Sequence, residues 1–152
     1  FNDYQVGELI DHIDGNTICE ADHLFATRLW QNNSKVHFDI NAREDKKRLI
    51  YGGHIISLVR ALSFNGLENA QLIVGINGGT HANPVFAEDT IYCWSEVLDK
   101  IDLNVRNIAA LRLRSVGTKE KNHNMRLKSG DGKYLPTIVL DFDYWVLVPR
   151  EL

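Results

Sequence analysis

Cysteine is scarce in this sequence, because only Cys19 and Cys93 occur among the 152 residues. Two cysteines without paired spacing exclude a disulfide framework and a cysteine-rich zinc site. The first thirty residues also lack the apolar segment of a secretory signal peptide. Together these absences favour a protein of the reducing cytoplasm.

An excess of positive charge is absent as well. Lys and Arg number 17 against 20 Asp and Glu, the net charge is -3, and the basic residues are scattered. This distribution argues against a nucleic-acid-binding or anionic-membrane surface. His12, His23, His54 and His123 lack the spacing of zinc ligands, so we interpret them as structural or surface residues and expect no metal.

The chain is long enough for a single domain over residues 1–152, and 44% of its residues are hydrophobic. Such a domain can bury a core without a metal or a disulfide. Because the sequence begins at Phe1 and not at methionine, we expect it to be a piece of a longer or processed protein.

The most apolar segment, Ile50–Leu67, is expected to organise the fold. After Gly52 and Gly53, apolar side chains cover nearly every side of a helix, and Arg60 is the only full charge. A helix that is apolar all round is a buried helix. At about four turns it is too short to cross a bilayer, so the rest of the chain should wrap it.

The segments before the central helix predict one strand and one helix. The strand is predicted over residues 3–12, and a turn follows at residues 14–16. Thr17 and Glu20 have the spacing of a capping box, which would start a helix over residues 20–31. Its expected buried stripe is Ala21, Leu24, Phe25 and Leu29. A short extended segment over 35–40 and an exposed charged run over 43–48 follow.

The second half of the chain predicts four strands, over residues 70–82, 90–98, 108–118 and 137–148. The last strand has the clearest alternation, with an apolar side chain at every second position from Ile138 to Val148. Residues 119–133 are expected to form a long exposed connection. The order of strand, helix, central helix and four strands predicts an α+β fold, an antiparallel sheet with its helices on one side.

Three groups of residues could carry chemistry. Asn32 and His37 are five residues apart, so the imidazole could relay a proton while the amide holds a water. The structural alternative is an asparagine that ends a helix and a histidine in an extended segment.

The second group is Tyr51, Gly52 and Gly53 at the start of the central helix. Its glycines would let a ligand approach the N–H groups of the helix terminus, which stabilise a developing oxyanion. The alternative is a tight loop that enters a core helix.

The third group is the segment from Gly78 to Pro84, which contains His81 and Asn83. Its glycine spacing is neither a dinucleotide fingerprint nor a P-loop. A bulged strand running into a turn and a ligand contact are both compatible with it.

Several longer segments resemble the MaoC-like hydratases. The similar segments are residues 31–39, 51–58, 63–67, 81–90 and 94–98. The resemblance implies a hot-dog fold, in which a curled antiparallel sheet wraps a long central helix. It also implies reversible addition of water to the double bond of an enoyl-CoA thioester, with no cofactor because CoA is part of the substrate.

The resemblance also implies roles for individual residues. In the wider (R)-specific hydratases an Asp and a His five residues apart activate the water; His37 matches the His, and Asn32 stands in the Asp position. His37 would then act as the main base, while Asn32 orients the water. Gly52 or Gly53 matches the donor to the thioester carbonyl. The expected substrate-binding residues are Tyr51, His54, Ser57, His81 and Asn83.

The resemblance is strongest to members that act on branched C4 or C5 dicarboxylyl-CoA thioesters such as mesaconyl-CoA. The second carboxylate of such a substrate needs a cation, for which Arg28, Lys35 and Arg60 are candidates. These members resemble two fused hot-dog repeats, and this chain matches the second. The expected partner is therefore a second copy in a homodimer or another hot-dog domain.

Two other functions remain open from the sequence. Hot-dog thioesterases also bind acyl-CoA, but they usually need a carboxylate near the start of the central helix, and Tyr51-Gly52-Gly53 offers none. A non-catalytic acyl-CoA-binding or structural repeat is the other alternative, because Asn32 replaces the expected carboxylate.

Overall fold

The computed structural model describes residues 1–70, 72–105, 107–121 and 124–150. His123 lies outside these described residues. The helices and strands follow the chain as β1 (Leu9–Thr17), α1 (Glu20–Leu29), α2 (Gly52–Leu62), β2 (Leu72–His81), β3 (Thr90–Val105), β4 (Ile108–Thr118) and β5 (Ile138–Pro149). Short 3-10 turns at Lys35–His37 and Ile40–Ala42 and a helical turn at Phe64–Leu67 lie in the connections. The predicted order of elements is confirmed.

The five strands form one antiparallel sheet in the order β1-β3-β4-β5-β2, so β1 and β2 are its edges. Helix α2 packs across β1, β3, β4 and β5. The α+β prediction, with an antiparallel sheet against a central helix, is therefore confirmed.

The main core lies between α2 and the sheet. Every second side chain of β5 from Ile138 to Val148 is buried, as the alternation predicts. Ile55 and Val59 of α2 pack against these side chains. Gly117 in β4 allows this close packing, because a Cβ added there would lie 2.8 Å from a methyl group of Val59.

The central helix is shorter and less enclosed than the sequence predicts. Regular helix runs over 11 residues, and Gly66, at φ +96°, follows as the expected stop. Ile55 and Val59 are buried, whereas Ser57 and Ala61 are exposed. The sheet covers only one side of α2, so within this chain the expectation of an all-round buried helix is wrong.

Helix α1 starts at Glu20 as predicted, but the predicted capping box and buried stripe are wrong. Cys19 is the N-cap residue and makes no capping bond, while the Thr17 hydroxyl lies 2.8 Å from that of Thr90, because Thr17 belongs to β1. The buried residues of α1 are His23 and Thr27. The expected stripe is instead largely exposed, as at Phe25 (68%) and Leu29 (59%), because the polar face of the helix packs inward.

Other boundaries shift for local reasons. β1 continues through the expected turn at 14–16, because a register shift between Asp11 and Gly15 absorbs the irregularity. Residues 35–37 form a 3-10 turn and not an extended segment. β2 runs through Gly78 and Gly79 with the expected bulge, seen as register shifts in its pairing with β5.

A second, smaller cluster involves residues from the connection before β5. Met125 and Leu127 pack, with Tyr134, against Trp94 and its buried neighbours in β4 and β5. The described part of this connection is therefore not simply an exposed loop. None of the helices in the described ranges is long and apolar enough to span a membrane.

Candidate active site

A cleft of about 370 Å³ lies at the N-terminal end of α2. Parts of the chain that are far apart in sequence form it: the turn at residues 35–37, the start of α2, the end of β2 with its following loop, and the start of β5. The lining residues are His37, Leu49, Ile50, Gly52, Ile55, His81, Ala82, Asn83, Pro84, Val85 and Val139. The wall is mostly apolar, with two imidazoles and one amide and no acidic side chain among these residues, so it suits a mostly apolar group that carries a few polar atoms.

His37 is oriented by one strong contact. Its Nδ1 lies 2.8 Å from the carbonyl oxygen of Leu49. Because a carbonyl can only accept, Nδ1 carries the hydrogen, and the neutral ring has its lone pair on Nε2. The ring of Tyr51 meets His37 edge-on, with centroids 6.0 Å apart. Nε2 of His37 is therefore suited to accept a proton.

The first turn of α2 supplies backbone donors beside this base. Gly52 and Gly53 are its first two residues, and Tyr51, the N-cap residue, makes no side-chain capping bond to them. N–H groups in a first helical turn have no carbonyl of their own helix to donate to. The Gly52 N–H at the cleft can therefore donate to a ligand oxygen.

Close packing explains why both positions are glycine. A Cβ added to Gly52 would lie 2.6 Å from Nε2 of His81, and one added to Gly53 would lie 2.7 Å from the Tyr51 phenol oxygen. His81 thus borders the first turn of α2 within the cleft. Burial lowers the pKa of His81, which favours its neutral form near pH 7.

Asn83 lines the cleft and also holds its wall together. Its Nδ2 donates to the carbonyl oxygens of Leu135 and Ile138, at 3.0 and 2.6 Å. Both amide hydrogens are thus used by the chain that leads into β5. The carbonyl oxygen of Asn83 is left as the group that can meet a ligand.

Asn32 is not among the residues that line the cleft. Its Oδ1 accepts the N–H of Ser34 at 2.9 Å, and its own N–H donates to Thr27 at 3.0 Å, so it shapes the turn after α1. The amide nitrogen Nδ2 is the part of this side chain that could still meet a water.

Several expected binding residues lie away from the cleft. Ser57 is exposed, and half-buried His54 is near Asp22 of α1; burial lowers the pKa of His54. Arg28 and Lys35 are exposed and do not line the cleft. The guanidinium of Arg60 donates to Ser63, Tyr144 and Ala70 near the other end of α2.

Two features of the site are not predicted from the sequence: the apolar wall of the cleft and the position of His23. The apolar residues immediately flank the polar candidates in sequence, as Leu49, Ile50 and Val85 do, which is the signal that could have found them. The sequence predicts His23 to be a structural or surface residue, but its ring contacts the backbone of both His37 and Tyr51. A local pattern carries no sign of such a contact. Among the described residues, no group of three or more His, Cys, Asp or Glu could hold a metal ion.

Two curated relatives match nearly the whole chain. A mesaconyl-CoA hydratase of Cereibacter sphaeroides is 59% identical over 150 residues, which is 99% of this chain and 44% of that protein. A β-methylmalyl-CoA dehydratase of Chloroflexus aurantiacus is 54% identical over 156 residues, again with 99% and 44% covered. The chain therefore spans less than half the length of these relatives. No family model matches it.

Solved structures agree with the fold. A MaoC domain dehydratase of Chloroflexus aurantiacus superposes with a TM-score of 0.95 at 52% identity, covering 99% of this chain and 44% of that one. A Mycobacterium tuberculosis protein with a double hotdog fold superposes with a TM-score of 0.70 at 15% identity, over 99% of this chain and 44% of that one. The latter likeness concerns the fold alone, and the expected hot-dog fold is confirmed.

Proposed function

The chain belongs to the MaoC-like hydratases, and from that membership we propose that it carries out the reversible addition of water to an enoyl-CoA thioester. The proposed substrate is mesaconyl-CoA, which hydration converts to β-methylmalyl-CoA, or a related branched acyl-CoA. The proposal needs no cofactor or metal, because CoA is part of the substrate and the chemistry is proton transfer.

One observation carries the proposal: His37 and Gly52 line the same cleft, with Nδ1 of His37 bonded to Leu49 at 2.8 Å. A base and an oxyanion donor are the two groups that hydration of an enoyl thioester requires. The lone pair on Nε2 of His37 would take a proton from water, whose oxygen bonds to the β-carbon of the substrate.

Electrons of the double bond then move toward the thioester, whose oxygen becomes negative. The N–H of Gly52, or that of Gly53, donates to this oxygen and stabilises the charge, as the positive end of α2 does. The imidazolium returns its proton to the α-carbon, which restores neutral His37. Water has then been added across the double bond, and the reverse sequence is the dehydration.

The remaining polar residues would position water and substrate. Asn32 would donate from Nδ2 to the oxygen of the water, because its Oδ1 is already bonded to Ser34. His81 and Asn83, which line the cleft, would meet the acyl group, and His81 is the cleft residue able to donate to a second carboxylate. Tyr51, His54 and Ser57 are assigned to substrate binding by the family resemblance.

The lining of the cleft also bears on the alternative functions. A thioesterase of this fold would need a carboxylate near the start of α2, and none of the cleft residues is acidic. This favours hydration over hydrolysis. A non-catalytic acyl-CoA-binding repeat remains the competing proposal, because Asn32 cannot exchange a proton.

We further propose that the chain pairs with another hot-dog domain, either a second copy or a separate first half. Ser57 and Ala61 on one side of α2 are exposed, and so are the apolar side chains Leu72, Val74 and Ile76 of edge strand β2. Apolar surface on an edge strand is a common site of association. Both relatives are more than twice as long as the chain, which leaves room for a second domain.

The proposed activity is tested by following hydration of mesaconyl-CoA and crotonyl-CoA with wild type, His37→Ala and His37→Asn. The asparagine variant can still donate to Leu49, but it lacks a base, so it separates support of the loop from proton transfer. Both variants should lose about 10²- to 10⁴-fold in kcat. Substantial turnover by His37→Asn would exclude His37 as the base.

If the folded wild type shows no turnover, this chain is not sufficient for hydration. Retained acyl-CoA binding would then favour the binding role. The ratio of the two substrates reports whether a second carboxylate is recognised.

A further inference from the structure

We infer that His23, a buried residue of α1, is a positioning residue that holds the base and the oxyanion donors at a fixed separation, by bonding to the carbonyl of His37 and to the N–H of Tyr51, which directly precedes those donors. This inference rests on the proposed function for its catalytic meaning. The bonds themselves are a property of the fold and can be tested separately.

His23 is fully buried, and each ring nitrogen meets the backbone next to a reacting group. Nε2 lies 2.9 Å from the carbonyl oxygen of His37, and the N–H of Tyr51 donates to Nδ1 at 3.2 Å. Tyr51 directly precedes Gly52, which lines the cleft. The imidazole of His23 therefore links the turn that carries the base to the start of α2.

The two partners determine which form of the ring fits. A carbonyl only accepts, so Nε2 must carry the hydrogen, and a backbone N–H only donates, so Nδ1 must carry a lone pair. The Thr27 hydroxyl lies 3.5 Å from Nδ1 but donates its hydrogen to the carbonyl oxygen of His23 at 2.9 Å, so the Tyr51 N–H is the donor to Nδ1. Only the neutral Nε2–H form satisfies both contacts.

Protonation of His23 would break the link to Tyr51, since two N–H groups would then face each other. Burial lowers the pKa of His23 and so favours the neutral form, and electrostatic interaction with the neighbouring imidazoles of His54 and His37 acts in the same direction. Glu20 and the carbonyl of His37 oppose this shift.

The two segments are also bonded directly, by the Leu49 N–H to Val36 and by His37 Nδ1 to the Leu49 carbonyl, and the link through His23 is a further connection between them. His37 lies in a 3-10 turn of three residues, and the side chain of Tyr51 makes no capping bond to α2. The bonds from His23 therefore connect both short segments to helix α1. Small displacements between base and substrate cost rate steeply, by up to about 10²-fold for 1 Å. The link should therefore affect kcat more than substrate binding.

The test compares His23→Gln with His23→Leu. Glutamine can offer one donor and one acceptor from a single amide, whereas leucine fills similar space and offers neither. We expect His23→Leu to lower kcat by about tenfold to 10²-fold with little change in KM, and His23→Gln to recover most of that loss. Tyr144→Phe is the matched control, since it removes a buried hydrogen-bonding group near the other end of α2 and should leave kcat unchanged.

A second readout does not depend on turnover. Imidazole ¹⁵N spectra of the wild type should show His23 as the neutral Nε2–H tautomer at pH 7, and hydrogen exchange of the Tyr51 amide should accelerate in His23→Leu. A wild-type ring protonated on Nδ1, or an equal fall in kcat for His23→Leu and Tyr144→Phe, would overturn the inference. If the wild type does not turn over, the proposed function fails while the tautomer and the exchange rate still decide the role of His23.

Discussion

At the scale of single residues, Gly52 and His81 share a space that only one side chain can occupy. Gly52→Ala would place a methyl group 2.6 Å from the present position of Nε2 of His81. Because the clash is with the end of a flexible side chain, the ring should swing away at a cost of about 1 kcal/mol or less, whereas kcat/KM should fall at least tenfold. Urea denaturation and steady-state kinetics measure the two effects.

The double variant Gly52→Ala/His81→Ala provides the check on that prediction. If the clash is the cause, the destabilisation by Gly52→Ala should vanish once His81 is already alanine. Gly130→Ala is the control, since a Cβ there meets nothing within 4 Å. An equal loss of stability by Gly52→Ala in both backgrounds would contradict the explanation.

Buried histidines also predict how stability depends on pH. Burial lowers the pKa values of His23 and His54 below the ordinary 6.5. The unfolded chain therefore binds protons at a higher pH than the folded chain does, and the free energy of unfolding should fall as the pH drops from about 6.5 toward 5. Above pH 7 these residues should have no such effect.

Urea denaturation at pH 8, 6 and 5 measures how steeply the free energy of unfolding changes with pH. This slope should be shallower in His23→Gln. The ion pair between Arg112 and Asp143 should not contribute to the change in stability over this pH range. Arg112 lowers the pKa of Asp143, so this carboxylate is protonated only at more acidic pH. An unchanged slope in the variant would show that His23 is protonated to the same extent in both states.

At the scale of elements, a buried hydrogen-bonded chain ties α2 to the sheet. Arg60 donates to the hydroxyl of Tyr144 at 2.9 Å, and that hydroxyl lies 2.8 Å from the one of Ser115. The chain continues to Ser95 and then to Nε2 of His12, each step 2.8 Å long. It crosses from β5 to β1, so it links four strands of the sheet to the helix.

Removing one hydroxyl from this chain should be costly. Tyr144→Phe removes one hydrogen-bond partner from Arg60 and one from Ser115. Arg60 keeps its bond to Ala70 and Ser115 keeps its bond to Ser95. We expect the free energy of unfolding to fall by about 1–3 kcal/mol. Tyr134→Phe is the matched control. The hydroxyl of Tyr134 also makes a side-chain hydrogen bond, to Asp141, but Tyr134 is partly exposed. Equal losses in the two variants, measured by urea denaturation, would contradict a special role for the buried chain.

At the scale of the whole molecule, apolar surface remains open on edge strand β2. Leu72, Val74 and Ile76 are 61%, 52% and 64% exposed. If this surface pairs with another hot-dog domain, Val74→Lys should shift the chain from dimer to monomer in sedimentation velocity. Val105→Lys is the matched control, since Val105 is also 52% exposed but lies at the end of β3.

The stability of the isolated domain should hardly change in either variant, because both valines face solvent within this chain. If the wild type is monomeric and still hydrates the substrate, the activity does not need pairing with a second domain. If Val74→Lys remains a dimer, the pairing surface must lie on another face, such as the open side of α2.

The sequence by itself determined the order of the helices and strands, the bounds of β4 and the buried face of β5. Alternation over ten or more residues reports which side of a strand faces the core, and that signal is local. It also singled out His37 and Gly52, because a histidine and a glycine pair at a helix start are chemically distinctive in any fold.

Only the tertiary structure decided which polar groups share the cleft and which face of α1 turns inward. Hydrogen bonds to residues far along the chain set both, such as those of His23 to His37 and Tyr51. Such bonds let a polar face pack inward and leave Phe25 outside, which an apolar pattern cannot foresee. The same holds for α2, because its apolar composition cannot tell which side the chain's own sheet covers and which side it leaves open.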